Sequence, residues 1–274
     1  MSNIDVNPFA LMFSMKTVNK WTDTVNSNLN GATKNGFKSM DLYFNGGLQT
    51  ATYRPSTNLR MGINAAENSI NVDHTTISFR QGDLVSSTLK THVAVQGEGF
   101  FVVSTSATGN TFAAGQITNP NASILYTRNG EFHVDDQNRI RTQEGLFVLN
   151  TDGSVATSHP SDGESIRSLD STITAANQRL AIATFPDKQA LVFSRVYGSG
   201  YFDIGGYAIP TVQDFDSNAI NVSTTVYSGK LEASNVNTAK QIAELSASEK
   251  LFEALTKQFL VYLNNVDTAL NLIR

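Results

Sequence analysis

The chain has 274 residues, no cysteine, and a net charge of −4 from 20 Lys plus Arg and 24 Asp plus Glu. The lack of cysteine excludes disulfides, thiolate zinc sites and cysteine nucleophiles, and the weak negative charge without a basic cluster argues against nucleic acid as a partner. No run approaches the ~18 apolar residues of a membrane span, and no basic stretch followed by an apolar run opens the chain, so a cleaved signal peptide is not expected.

The first segment, residues 1–34, predicts a helix from about Pro8 to Leu29. Pro8 suits a first helical turn, and large apolar residues then recur every three to five positions. The dipeptides Asn30-Gly31 and Asn35-Gly36 favour turns after it, because Asn and Gly tolerate positive φ. The apolar positions are Phe9, Phe13, Val18, Trp21, Val25 and Leu29.

The next segment, residues 35–70, predicts an extended connector or strut. From Asp41 to Ile70 it is rich in Gly, Asn, Thr and Ser, and Pro55 lies in its middle. Neither a helical nor a strand period is sustained, so a short hairpin is the most regular structure that we expect here.

Residues 71–227 predict a mainly β domain, an irregular sandwich or barrel without a helix of ordinary length. Short β-branched and aromatic runs alternate with the turn dipeptides Asn129-Gly130, Asp152-Gly153 and Asp162-Gly163. The predicted strands are His92–Val95, Phe100–Ser104, Ile124–Arg128, Glu131–Val134, Leu146–Leu149, Leu180–Phe185, Leu191–Tyr197 and Ala219–Val226.

The last segment, residues 228–274, gives the strongest helical signal. Asn235 is a candidate N-cap, and neither Gly nor Pro follows it. A helix of about 38 residues spans about 57 Å, more than the width of the β domain, so most of its apolar seam is expected to find partners elsewhere. The alternative is that both terminal helices pack on the β domain or on each other. The seam has coiled-coil spacing and comprises Phe252, Leu255, Phe259, Tyr262, Val266, Ala269 and Ile273.

Catalytic signals are weak. The four histidines are scattered, and Gly97-Glu98-Gly99 is followed by a predicted strand rather than a helix, which favours a turn over a dinucleotide site. Asp135, Asp136, Asn138 and Glu144 lack the glycine of a calcium loop and favour a polar hairpin turn. The sequence therefore predicts no enzyme, metal, cofactor or small-molecule substrate. A carbohydrate-active enzyme with two distant carboxylates stays open as an alternative.

Five segments in order carry a family resemblance. They are residues 25–38, with Asn28, Leu29, Asn30, Gly36 and Phe37; Gln81–Leu84; Val93–Val103, with Gly97, Gly99 and Phe100; Tyr126–Phe132, with Tyr126, Arg128 and Gly130; and Ser228–Asn237, with Ser234, Asn235 and Val236. Together these segments resemble the bacterial flagellar basal-body rod and hook proteins. Relative to that family, residues 105–123 and 154–175 look like insertions.

The resemblance implies an architecture and a set of partners. The terminal helices would pair into a coiled-coil-like inner tubular layer, the connector would form a strut, and the β domain would form the outer layer. Subunits of this family are exported unfolded by the flagellar type III apparatus, without signal-peptide cleavage, and polymerise in the periplasm as part of the basal body. The implied partners are copies of the chain itself, other rod and hook proteins, the P- and L-ring proteins and the export apparatus.

The predicted function is a rod subunit that polymerises helically into the drive shaft, transmits torque and encloses the export channel. A single β domain favours a rod protein over the alternative of a hook protein or hook–basal-body paralogue. An alternative of another class is a secreted β-rich trimeric fibre or adhesin module. The predicted assembly interface comprises Phe9, Phe13, Trp21, Val25, Leu29, Phe252, Leu255, Phe259, Tyr262, Val266 and Ile273.

Overall fold

The structure is a computed structural model that describes residues 8–54, 62–113, 116–119, 121–158, 166, 179–204, 211–213 and 224–273. It has two compact units. The helical unit holds the described residues up to Asn30, those of Met40–Ser78 and those from Asn237 onward. The β unit holds Gly31–Ser39 and the described residues of Phe79–Val236. The predicted combination of a β-rich central domain with a helix near each end is confirmed.

The helical unit contains helices α1 (Pro8–Gly31) and α2 (Thr238–Ile273). The Thr22 hydroxyl donates to the Ser248 hydroxyl at 3.1 Å, and the Asn28 amide donates to Gln241 at 3.1 Å. Because the register rises in one helix as it falls in the other, the two helices run antiparallel. Among the described residues, neither helix combines the length and the apolar character that a membrane crossing requires.

The start of α2 differs from the prediction. The N-cap is Asn237, whose side-chain oxygen accepts from the Lys240 amide at 3.1 Å, and the prediction of Asn235 as N-cap is wrong. Asn235 instead directs its side chain to the Ser39 amide, at 2.8 Å, within the β unit. Both residues are asparagine, and their side-chain partners, which the sequence does not reveal, decide which one caps the helix.

The predicted connector contains a long antiparallel hairpin. Strands β1 (Met40–Arg54) and β2 (Gly62–Ile77) pair from Met40 opposite Ile77 to Arg54 opposite Gly62, with an irregularity between Leu42 and Phe44. Fifteen residues at about 3.3 Å each span about 50 Å. The hairpin is much longer than expected, and β2 crosses the predicted boundary at residue 70, because its ladder is made by backbone groups and needs no apolar alternation.

The β unit contains fifteen short strands in the described ranges and one turn of 3-10 helix, Lys188–Ala190. The strands are β3 (Leu84–Ser86), β4 (Val93–Gln96), β5 (Phe100–Ser104), β6 (Thr111–Ala113), β7 (Gln116–Thr118), β8 (Ile124–Thr127), β9 (Phe132–Val134), β10 (Ile140–Thr142), β11 (Phe147–Val148), β12 (Ile182–Thr184), β13 (Leu191–Ser194), β14 (Gly198–Ile204), β15 (Thr211–Gln213), β16 (Thr225–Ser228) and β17 (Lys230–Glu232).

One nine-stranded sheet organises this unit, in the order β13-β14-β8-β5-β11-β10-β9, with β12 pairing both β5 and β15. Its central strand β5 is buried at every position and has the bounds that the sequence predicts. The pairs β4–β16, β3–β17 and β6–β7 complete the described ladders. The β6–β7 hairpin lies in the first predicted insertion. Residues 159–165, 167–178 and 219–223, which include the Asp162-Gly163 turn and parts of other predictions, lie outside the described residues.

The sequence Asp135–Arg139 forms the predicted polar turn. The Asp135 carboxylate accepts from the Gln137 and Arg139 amides at 2.9 and 2.8 Å and pairs with the guanidinium groups of Arg139 and Arg141. Partial burial raises the pKa of this carboxyl, but the hydrogen bonds from Arg139 and from the backbone outweigh it and hold the pKa at about 2.

We expect Asp135→Asn to destabilise the β unit near neutral pH but not at pH 2. Since the pKa in the folded state lies below the ordinary value of 3.8, the carboxylate stabilises the fold above that value and loses its effect as the pH falls to about 2. Thermal unfolding of both proteins at pH 2, 3, 4 and 6 checks this. A constant difference across the series would contradict it.

Candidate functional site

The most buried charged group of the β unit surrounds Glu232, the last residue of β17. One carboxylate oxygen accepts from the Lys38 ammonium at 2.6 Å and from the Gly82 amide at 3.0 Å. The other accepts from the Arg128 guanidinium at 3.2 Å. The side chains of Lys38, Arg128 and Glu232 are 1%, 5% and 0% exposed. We refer to these three residues as the Glu232 cluster.

Backbone carbonyls supply further acceptors to the two cations, although the buried Nε of Arg128 has no hydrogen-bond partner. Lys38 also donates to the Arg80 carbonyl at 2.8 Å. Arg128 donates to the carbonyls of Val95, at 3.3 Å, and Gly97, at 2.6 Å. Charged groups this deeply buried are tolerated only when they are paired and hydrogen-bonded, and the cluster meets this condition on several sides.

Burial and the Glu232 carboxylate have opposite effects on the pKa of each cation. It lowers the pKa of the Lys38 ammonium, and the adjacent Glu232 carboxylate opposes that change. The same two influences act on the pKa of Arg128. One carboxylate therefore faces two cations, and the carbonyl oxygens of Arg80, Val95 and Gly97 supply the remaining negative potential.

Two chain segments that are far apart in sequence lie side by side at this cluster. The Gly36 amide donates to the Glu232 carbonyl at 2.7 Å, and the Asn235 amide donates to the Phe37 carbonyl at 3.4 Å. The Asn235 side chain accepts from the Ser39 amide at 2.8 Å. In the sequence, Gly31–Ser39 directly precedes the hairpin, and the segment that contains Glu232 directly precedes α2. The cluster therefore lies where these two segments of the β unit are hydrogen-bonded to each other.

Close backbone approaches explain the glycines of the shared segments. A Cβ at Gly36, where φ is +69°, would lie 2.4 Å from the Arg128 carbonyl carbon. At Gly82 it would lie 2.0 Å from the Ala233 oxygen, and at Gly130 1.6 Å from the Val93 oxygen. No side chain fits at these distances. Gly97 and Gly99 have φ of 98° and 130°, which confirms the predicted turn.

All five resembling segments therefore meet around one site. Lys38 comes from the first segment, Gly82 from the second, Gly97 from the third, Arg128 from the fourth and Glu232 from the fifth. Phe100 and Tyr126 belong to the same segments and are almost fully buried. The Arg128 guanidinium lies 5.2 Å from the centre of the Phe100 ring.

In the helical unit, the predicted residue Asn28 has a defined role. Its side-chain amide donates to the Met40 carbonyl and accepts from the Met40 amide, both at 2.8 Å. It also donates to Gln241, so one amide connects α1, β1 and α2. Of its predicted neighbours, Leu29 is half-buried and Asn30 is exposed. In the β unit, the Ser234 hydroxyl accepts from the amide of the half-buried Val236.

The predicted assembly residues differ in exposure. Phe9 and Phe13 are 68% and 52% exposed. Trp21 is half-buried, with its ring centre 5.3 Å from that of Phe44. Val25 is buried within its own chain. The described assembly positions on α2 are half-buried or exposed: Phe252, Leu255, Phe259, Tyr262 and Val266. The side chain of Ile273 lies outside the described residues.

The sequence alone did not predict Lys38, Gly82 or Glu232 as site residues, although all three lie in the resembling segments. The sequence features that could have indicated them are the charges of Lys38 and Glu232 and the glycine at position 82, within segments that resemble the family. The cluster is almost closed to solvent, and Arg128 also lines a cavity of about 190 Å³. Within the described ranges, no group of three His, Asp or Glu residues could hold a metal. The contacts of the cluster hold together segments of the β unit that are distant in the sequence.

Comparison with known proteins finds similarity to flagellar proteins. The family model described as "Flagellar hook protein FlgE/F/G D1 domain" matches residues 94–184, which include the cluster residue Arg128. Several curated relatives carry the names of flagellar rod or hook proteins. The chain is thus similar to flagellar rod and hook proteins.

The relatives differ in how much of the chain they match. The flagellar basal-body rod protein FlgG of Buchnera aphidicola subsp. Acyrthosiphon pisum is 23% identical over 85% of this chain and 86% of its own length. FlgG of Borreliella burgdorferi is 28% identical over 46% of this chain. The match covers 44% of the length of that relative. The flagellar hook protein FlgE of Helicobacter pylori strain 26695 is 36% identical over 29% of this chain and 9% of its own length.

Proposed function

We propose that this chain is a structural subunit of the flagellar basal-body rod. It polymerises helically into the drive shaft that transmits torque and encloses the export channel. The observation that carries this proposal is the Glu232 cluster, in which the five family segments join both connections of the helical unit to a single β unit. Such a network within the β unit suits a structural subunit.

The extent of the matches favours a rod protein over a hook protein. The Buchnera rod protein aligns over 86% of its length, whereas the Helicobacter hook protein aligns over 9% of its length. A hook protein of that size contains much more chain than this one. The hook protein or paralogue is therefore the second candidate within the same class.

Exposed apolar side chains on the helical unit support self-assembly. On α2 they include Leu260, Val261, Leu263, Leu270 and Leu272. Contiguous exposed apolar surface commonly marks an interface in soluble proteins. Contacts between different surfaces of identical subunits, when the rotation does not close, generate an open helical filament, as a rod requires.

The remaining parts of the proposal come from the family. The helical unit would line the inner layer as a coiled-coil-like tube, and the β unit would form the outer layer. The chain would leave the cytoplasm through the flagellar type III apparatus without signal-peptide cleavage and assemble in the periplasm. Its partners would be other rod and hook proteins and the P- and L-ring proteins.

We expect Phe259→Asp to prevent polymerisation. Phe259 is half-buried at the middle of the α2 seam, and completing its burial in the polymer is worth about 1–1.5 kcal/mol, or about tenfold in the concentration needed for assembly. An unpaired charge at this position adds a desolvation cost. Electron microscopy and sedimentation of the concentrated purified protein measure the effect.

The neighbouring exposed residue provides a matched control. Gln258→Asp places the same side chain one position earlier on α2 and should leave assembly unchanged. The β unit should keep its wild-type melting transition in both variants. If the wild-type protein forms only discrete trimers, the rod proposal fails and the trimeric fibre is favoured.

A further inference from the structure

The N-terminal half of α1 exposes several of its large apolar side chains, whereas Leu11 and Val18 are buried. Met12 and Phe13 are 56% and 52% exposed, whereas Ser14 and Thr17, smaller and polar, are buried. Together with Phe9 and the exposed Lys16, they follow the spacing of one helix face. We call Phe9, Met12, Phe13 and Lys16 the outer stripe. Because α1 already buries another apolar face, these additional exposed apolar side chains indicate an interface.

The same unit contains a cavity of about 280 Å³ near the other end of α1. Trp21, Val25, Leu42 and Phe44 contribute apolar lining, and Thr24 and Asn28 also line it. Binding pockets for small molecules usually measure about 300–1,000 Å³. A cavity just below this range, with an aromatic wall and a largely polar remainder, suits one aromatic side chain with a charged neighbour better than a free ligand.

The charges of the two surfaces are complementary. The cavity lining carries the carboxylates of Asp41 and Glu244 and one ammonium, Lys240, which lies 3.3 and 3.6 Å from them. It therefore has one net negative charge. The segment of α1 that bears the outer stripe, residues 8–20, contains Lys16 and Lys20 and neither Asp nor Glu.

A stripe cannot fill the cavity of its own chain. Met12 and Thr24 are twelve residues apart on one helix, which is about 18 Å along its axis. We propose that the outer stripe of one copy docks into the α1/β1/α2 cavity of the next copy, with Phe13 as the anchor and Lys16 facing Asp41 and Glu244. Because two different surfaces meet, the contact repeats head to tail and builds an open chain of subunits. This inference rests on the proposed rod function and specifies one of its contacts.

The cysteine-free chain allows a direct test with two introduced thiols. In the full-length double variant Met12→Cys/Thr24→Cys, a disulfide within one chain is excluded, because its Cα atoms must lie within about 7 Å. Assembled filaments, oxidised and run on a denaturing gel, should give a ladder of dimers, trimers and longer products. An equimolar mixture of the two single variants should give dimers but no longer products, because each chain then carries only one thiol. The control Met12→Cys/Lys34→Cys, with an exposed site in the β unit, should give no ladder.

A charge exchange gives a second readout. Lys16→Glu and Glu244→Lys should each raise the concentration needed for assembly about tenfold, and the double variant should return to within about threefold of the wild type. Lys34→Glu should have no effect. Filaments that form without a Met12–Thr24 ladder would overturn this contact and leave the rod function standing. A wild-type protein that forms no filaments would contradict the rod function itself, and a crosslink to a different protein in cells would identify another occupant.

Discussion

Replacing Glu232 with glutamine is expected to lower the free energy of unfolding of the β unit by about 3–5 kcal/mol. Glutamine keeps the shape and an acceptor for the Gly82 amide but removes the charge. Lys38 and Arg128 would then both lie buried without a counterion. Urea unfolding followed by circular dichroism measures the loss.

An exposed ion pair is the matched control. Glu98 lies 2.5 Å from Lys188, closer than any pair in the Glu232 cluster, but its side chain is 65% exposed. Water and salt screen such a pair, so Glu98→Gln should change the free energy of unfolding by less than about 1 kcal/mol. Equal effects of the two substitutions would show that burial does not determine the contribution of these carboxylates.

The second large effect is expected for Gly130→Ala. The added methyl carbon would lie 1.6 Å from the Val93 oxygen, which belongs to a buried strand. Backbone atoms must therefore separate, and the hydrogen bond from the Val93 amide to the Gly130 carbonyl, now 3.0 Å, would be lost. We expect a destabilisation of at least about 3 kcal/mol, at the upper end of the usual overpacking range.

Gly200 provides the corresponding control. A methyl group there would meet no atom within 4 Å, and its φ lies outside the left-handed region. Gly200→Ala should therefore change stability by no more than about 0.5 kcal/mol. Similar midpoints for both alanine variants in thermal unfolding would contradict the steric explanation.

The sequence predicted those elements that have a strong local pattern. Strand β5 was predicted with its observed bounds, because five apolar or small residues lie between turn-forming ones. Both helices were predicted from their apolar spacing. The long hairpin was not, since Gly46 and Gly47 lie within β1 and its cross-strand hydrogen bonds are independent of side-chain identity.

The site was predictable only in part. Gly36, Arg128 and Asn235 were selected through the family resemblance, and all three contribute to the observed contacts. The pairing of Lys38 with Glu232 was not predicted, because the two residues are 194 positions apart. Only the folded chain shows that the charges of separate motifs neutralise each other.

The position of Glu232 in the chain also sets an order of events. Lys38 and Arg128 precede it by 194 and 104 residues, so a polypeptide that emerges amino end first presents both cations long before their shared anion. Until residue 232 is available, closing the β unit would bury two positive charges without a counterion, which is unfavourable. Contacts between such distant positions also form slowly. We therefore expect the β unit to complete its folding only after residue 232 has emerged, and a chain that stops before this residue to leave the β unit incompletely folded.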